Sequence, residues 1–137
     1  MIVIDASALT DFLLGRVEAR DALEAVLAGR EQEPLHAPDL IEPETLNALR
    51  RLAAHGVVTE QRASEAVADL ANTRLIRYPH APLRGRVWEL RKDLTAYDAT
   101  YLALAEALDE PIVLTGDGGL ADRARESLGN DQVRRIP

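Results

Sequence analysis

Two aspartates near opposite ends of the chain follow directly on short apolar runs. Asp5 ends Ile2-Val3-Ile4, and Asp117 lies beyond Ile112-Val113-Leu114-Thr115 and Gly116. Continuous β-branched runs of this kind are typical of parallel strands buried on both faces. Ligands of open parallel sheets collect beyond the carboxyl ends of the strands, so neighbouring strands here would bring both carboxylates together. A third acid, Asp98, closes a Thr95-Ala96-Tyr97-Asp98 capping-box pattern, with Tyr101, Leu102 and Ala105 on the turns that follow. Asp98 thus heads an apolar stripe and is expected to aim toward the sheet. A carboxylate placed there needs a partner, because unpaired burial is costly, and a divalent cation is a natural one. The plain alternative for each aspartate is helix capping, which can coexist with metal binding.

A fourth acid is harder to choose. Glu42 and Glu44 are two residues apart, so one helix cannot point both the same way. Asp39 and Glu42 have capping-box spacing, which would give Glu42 a structural role. Glu44 shares a stripe with Leu40, Ala48 and Arg51, but Glu42 also aligns with Leu46 and Leu49. Helical phase leaves the choice open. Pro43 is tolerable only in a first turn, so the whole cluster lies near a helix start.

The elements that must position these acids alternate. Besides the two runs above, strands are expected at Leu75 to Tyr78, at an edge from Val133 to Ile136, and at Leu35-His36-Ala37 between two prolines. Helical periodicity appears at Ala22, Leu23, Val26 and Leu27, and at Ala63, Ala66, Val67 and Leu70 behind the N-cap candidate Thr59. Further helices are expected around 40–54, 82–92, 96–108 and 118–127, with one starting near Ser7. The pattern predicts an α/β three-layer sandwich: a central, mostly parallel sheet of about five strands with helices on both faces. The chain has no repeat, low-complexity segment or interdomain linker, so residues 1–137 are expected to form a single domain.

Composition narrows the chemistry. There is no cysteine, which excludes thiolate metal sites, disulfides and a cysteine nucleophile. His36, His55 and His80 lack metal-ligand spacing. Met1 leads straight into a strand-like run, and no apolar stretch is long enough to span a bilayer, so a soluble cytoplasmic protein with no membrane partner is expected. The formal net charge of −7 argues against a broad basic face for nucleic acid. Phe12, Tyr78, Trp88, Tyr97 and Tyr101 look too scattered for a base-stacking platform. Lys92 is the only lysine, however, and arginine suits bidentate phosphate contacts. Arg50-Arg51 and the group Arg84, Arg86, Arg91 and Lys92 form two local clusters, which fits a nucleic acid gripped by its backbone at one place.

Four segments resemble a PIN-domain nuclease, and most nearly the VapC-type toxins of type II toxin–antitoxin pairs. They are Val3-Ile-Asp-Ala-Ser-Ala-Leu9, Ala37-Pro-Asp-Leu-Ile with Glu44 and Asn47-Ala-Leu-Arg-Arg51, Leu94 to Glu106, and Leu114-Thr-Gly-Asp-Gly-Gly-Leu-Ala121. The resemblance implies that the family's acids fall on Asp5, Glu44, Asp98 and Asp117, with Asp5, Asp98 and Asp117 as metal ligands. It favours Glu44 over Glu42, because Glu44 precedes the Asn-Ala-Leu-Arg pattern. It puts supporting hydroxyls at Ser7 and Thr115, which could orient a ligating carboxylate or a bound water. It implies a ribonuclease using Mg2+, with Mn2+ as a substitute, that leaves a 5′-phosphate and a 3′-hydroxyl. It implies RNA as substrate, a cognate antitoxin that neutralises the toxin, and a homodimer. Arg50 and Arg51 are candidate RNA phosphate contacts.

Rival readings fail on named residues. A receiver domain needs a paired acid after its first strand, where Ala6 stands, and a lysine after its last. A haloacid-dehalogenase-type phosphatase needs a second aspartate at the position of Ser7. A PIN module that binds RNA or a protein without cutting is the alternative from another functional class; the presence of all four acids weighs against it.

Overall fold

A computed structural model describes all residues from Met1 to Pro137. Five strands are present: β1 (Ile2–Ile4), β2 (Leu35–Pro38), β3 (Leu75–Tyr78), β4 (Ile112–Thr115) and β5 (Val133–Arg135). Seven α-helices connect them: α1 (Ala6–Leu13), α2 (Val17–Leu27), α3 (Ile41–Ala54), α4 (Glu60–Ala71), α5 (Arg84–Glu89), α6 (Ala96–Ala107) and α7 (Gly118–Leu128). All neighbouring strands run parallel in the order β3-β2-β1-β4-β5. The predicted sheet is therefore wholly parallel, and every expected strand is present.

The direction of winding reverses at β1. The chain moves from β1 through β2 to β3 on one side, then crosses back to β4 and β5 on the other. Right-handed crossovers consequently send α1–α4 to one face of the sheet and α5–α7 to the other. The packing agrees, with α1, α3 and α4 in mutual contact and α6 between α5 and α7. The crevice beyond β1 and β4 is the topological switch point, where open α/β sheets bind ligands. Thirty-two buried apolar residues form one continuous core around β1, β4 and α6. All three residues of β1 are fully buried, as a central strand covered on both faces requires.

Two local expectations change. The helix expected over 82–92 is shorter: a 3-10 turn (Ala81–Leu83) precedes α5, which stops at Glu89. Leu90 is buried, and its carbonyl accepts from the N–H groups of Asp93 and Leu94, turning the chain toward α6. The Asp39–Glu42 capping box does not form. The backbone N–H of Leu40 instead donates to Nε2 of His80 at 2.9 Å, a cap supplied from beyond β3, while Glu42 pairs with Arg77 of β3. Pro43 is the third residue of α3, where the missing N–H has no intrahelical partner to lose. By contrast Thr59 caps α4 as expected, accepting from the N–H of Arg62.

Candidate active site

The carboxyl edge of the sheet opens into a cleft of about 1010 Å3, and Asp5, Glu44, Asp98 and Asp117 all line it. They arrive from four places in the chain: the end of β1, the first turns of α3, the first turn of α6 and the loop between β4 and α7.

Asp5 is the most constrained. It is 4% exposed and acts as N-cap of α1, its Oδ1 accepting from the N–H of Ala8 at 2.9 Å. The same oxygen accepts from the Ser7 hydroxyl at 2.7 Å, and Oδ2 accepts from the Thr115 hydroxyl at 2.5 Å. A carboxylate offers about four acceptor positions, so these three donors leave one free. Burial raises the pKa of Asp5, and the three donors oppose that shift by stabilising its ionised form.

The two hydroxyls also tie β1 to the loop after β4. The Thr115 hydroxyl accepts from the N–H of Asp117, and the Ser7 hydroxyl accepts from the N–H of Gly116, both at 2.9 Å. Each hydroxyl spends its proton on Asp5 and its lone pair on the loop after β4. A Cβ at residue 116 would sit 3.2 Å from Ser7 Oγ, so glycine is what permits this approach. Asp117 caps α7 through Oδ1, which accepts from the N–H of Leu120 at 2.7 Å. Gly118 likewise leaves room for the guanidinium of Arg135, which a Cβ would meet at 3.0 Å.

Asp98 does not close its capping box. Thr95 accepts from the Asp98 N–H at 3.2 Å, but the Asp98 carboxylate is left to the cleft. Partial burial, and then the charges of Asp117 and Asp5, push its pKa up to about 6. Glu44 faces it from the other wall. Its Oε1 accepts from the hydroxyl of the buried Tyr101 at 2.7 Å, and burial followed by the charge of Asp98 raises its pKa against that bond.

The Glu42–Glu44 ambiguity thus resolves in space. Glu44 lines the cleft with Leu40, Ala48 and Arg51, the stripe read from the sequence. Glu42 points to Arg77 on the edge strand. Of the two arginines singled out, Arg51 lines the cleft, whereas Arg50 binds the side chain of Asn47 on its own helix. Sequence reasoning missed Tyr101 as the partner of Glu44 and His55 as a cleft residue. The position of Tyr101, one turn after Asp98, was the available signal for the first.

The acids do not form a closed metal cage: no group of three or more histidine and carboxylate side chains is gathered for that purpose. The donor chemistry nonetheless fits a hard cation. The converging groups are carboxylates and hydroxyls, and neighbouring acids add to the raised pKa of Asp5, Glu44 and Asp98, which marks an excess of negative charge in a half-buried place. Magnesium keeps several waters and takes one or two carboxylates plus substrate phosphate, and so needs no complete protein cage.

A parallel sheet wound about a central strand, with carboxylates at its switch point, agrees with the outcome of comparison with known proteins. The PIN domain family model matches residues 2–126, and the chain belongs to that family. Within it the chain groups with VapC proteins. It is 43% identical over 125 residues to a VapC ribonuclease of Mycobacterium bovis, covering 89% of this chain and 90% of the relative. Identity and coverage are the same for ribonuclease VapC9 of Mycobacterium tuberculosis. Ribonuclease VapC1 of that species is 42% identical over 121 residues, covering 87% of each chain. No helix is long and apolar enough to cross a membrane.

Proposed function

We propose that this chain is a metal-dependent endoribonuclease, the toxin of a toxin–antitoxin pair, built as one PIN domain over residues 1–137. One observation carries the reading: acids from four separate elements meet in a single cleft at the switch point of the sheet. The likeness to VapC ribonucleases over nearly the whole chain supports RNA as the substrate. The continuous core supports a single domain.

In this reading Asp5, Asp98 and Asp117 hold a divalent ion of the magnesium class, for which manganese can substitute. Once bound, that ion supplies Lewis acidity and a water of lowered pKa for in-line attack on a phosphodiester. The chain contributes orientation. Ser7 and Thr115 fix the Asp5 carboxylate, and through the backbone at Gly116 and Asp117 they fix its distance from the fourth acid. Tyr101 occupies Oε1 of Glu44, leaving Oε2 to accept a proton from the attacking water. Arg51 reaches the cleft as a phosphate contact, while Arg50, engaged with Asn47, has a weaker claim.

The VapC likeness also supports a cognate antitoxin as partner and a homodimer. Incubating purified protein with total RNA, in magnesium and in EDTA, tests the activity. Cleavage in magnesium alone, leaving 5′-phosphate ends, is the expected result. RNA bound but never cut in magnesium or manganese would favour a silent binding module.

A further inference from the structure

Helix α6 borders two separate hollows near its start. One is the cleft, lined by Asp98 and Tyr101. The other, of about 250 Å3, is lined by Thr100 with His80, Arg84, Val87 and Trp88. The two are separated by the width of a helix, on the order of 10 Å, and in helical phase Tyr97 falls between Asp98 and Thr100. Trp88 is 66% exposed and Tyr97 64%, although large aromatics are usually well buried. The sequence scatters these two rings; in the fold Trp88 stands on α5 and Tyr97 on α6, and the two helices pack together.

The charge around Trp88 is not that of the whole chain. The guanidinium of Arg91 lies 4.5 Å from the centre of the Trp88 ring, supporting one face and leaving the ring largely open. The nearby acids Glu89 and Asp93 are already paired with Arg86 and Arg123, whereas Arg84 and Lys92 form no ion pair. Arg84 in the lining of the hollow and Arg91 on the Trp88 ring thus stand without an acid partner on a protein of net charge −7. An open aromatic ring beside uncompensated cations suits a ligand with both π-faces and phosphates. A protein partner would call for a more continuous apolar surround.

We propose that Trp88 is a stacking platform for a base of single-stranded RNA, with Arg84 receiving an adjoining phosphate. The inference rests on the ribonuclease reading and deepens it. The substrate then runs from the acids past Tyr97 to Trp88, and is recognised as single-stranded because a duplex base has no free face to offer. A hollow of 250 Å3 is below the roughly 300–1,000 Å3 of drug-sized pockets and suits one planar base.

Trp88 is the only tryptophan, so its emission reports this site alone. Titrating the wild-type protein in EDTA with a mixed-sequence single-stranded RNA should quench that emission saturably, in step with binding read by anisotropy of labelled RNA. Duplex RNA and inorganic polyphosphate should quench far less. Trp88→Ala should weaken single-stranded RNA binding by about tenfold, with Trp88→Phe recovering most of it. Arg84→Ala, which keeps the fluorophore, should weaken the quench and flatten its salt dependence. The proposal is overturned if RNA binds without changing the emission, or if polyphosphate quenches equally. It is also overturned if the emission responds to protein dilution and not to RNA, which would assign the surface to a second copy of the chain. Should Trp88→Ala not fold, the wild-type and Arg84→Ala titrations decide. A wild type that neither binds nor cuts RNA defeats the ribonuclease reading itself, whereas cutting in magnesium with an unresponsive Trp88 defeats only the subsite.

Discussion

The hydroxyl of Tyr101 on α6 donates to Oε1 of Glu44 on α3 at 2.7 Å, joining the two helical walls of the acidic cleft. Tyr101 is 1% exposed, so the donor side of the bond is buried while Glu44 faces the cleft. Burial, and then this bond, raise the tyrosine pKa and keep the group a donor at any working pH. Replacement by phenylalanine preserves the ring packing and removes only the donor. Tyr101→Phe is expected to lower cleavage about tenfold through the turnover rate, at a stability cost of roughly 1 kcal/mol in urea denaturation. An unchanged rate would show that Glu44 needs no positioning from α6.

Asp5→Asn and Asp98→Asn should each abolish RNA cleavage while leaving the circular dichroism spectrum folded. Both substitutions keep shape and remove charge. Full activity in either single variant would overturn the site assignment.

Asp98 links stability to pH. Its folded-state pKa is pushed up to about 6, above the ordinary value of 3.8, so the folded state holds the proton longer. Stability from this group is therefore complete below about pH 4 and is lost as pH rises through 6. In the metal-free protein Asp98→Asn should melt higher than wild type at pH 7.5, by on the order of 3 °C after allowance for solvent screening at a half-exposed group. The difference should shrink toward zero at pH 4. Melting curves of both proteins at several pH values check the sign.

Magnesium should raise the melting temperature of the wild type at pH 7.5, because an ion bound only by the folded state stabilises it. Asp98→Asn and Asp117→Asn should gain less. Equal gains in all three would point to nonspecific screening.

Thr115→Val removes a donor to the buried Asp5 and the acceptor for the N–H of Asp117 in one step. The expected loss is about 2–3 kcal/mol by chemical denaturation, since a buried charge loses a donor. Thr115→Ser should retain most of the stability.

Much of this arrangement was legible because strands in a parallel sheet deliver their last residues to one edge. Asp5 and Asp117 could be paired from the runs that precede them. Asp98 could be aimed from the stripe that follows it. Glu44 could not be chosen by helical phase, because what separates it from Glu42 is contributed by other elements: Arg77 on β3 takes Glu42, and Tyr101 on α6 takes Glu44. The cap on α3 was misread for the same reason, since His80 reaches it from beyond β3. Trp88 and Tyr97 looked scattered because sequence distance hides the packing of α5 against α6.

The strand at the centre of the sheet has a consequence for how the protein comes into being. β1 is made first, yet one of its two neighbours is β4, and Asp5 takes its Thr115 hydrogen bond from the far end of the chain. Contacts so distant in sequence form late. A ribosome making this chain therefore carries an unfinished cleft until β4 is complete, with Asp5 lacking that bond and Asp117 not yet added. The cleft is complete only once β4 and the turn bearing Asp117 have been made, so the order of synthesis itself keeps a partial chain without its full set of acids.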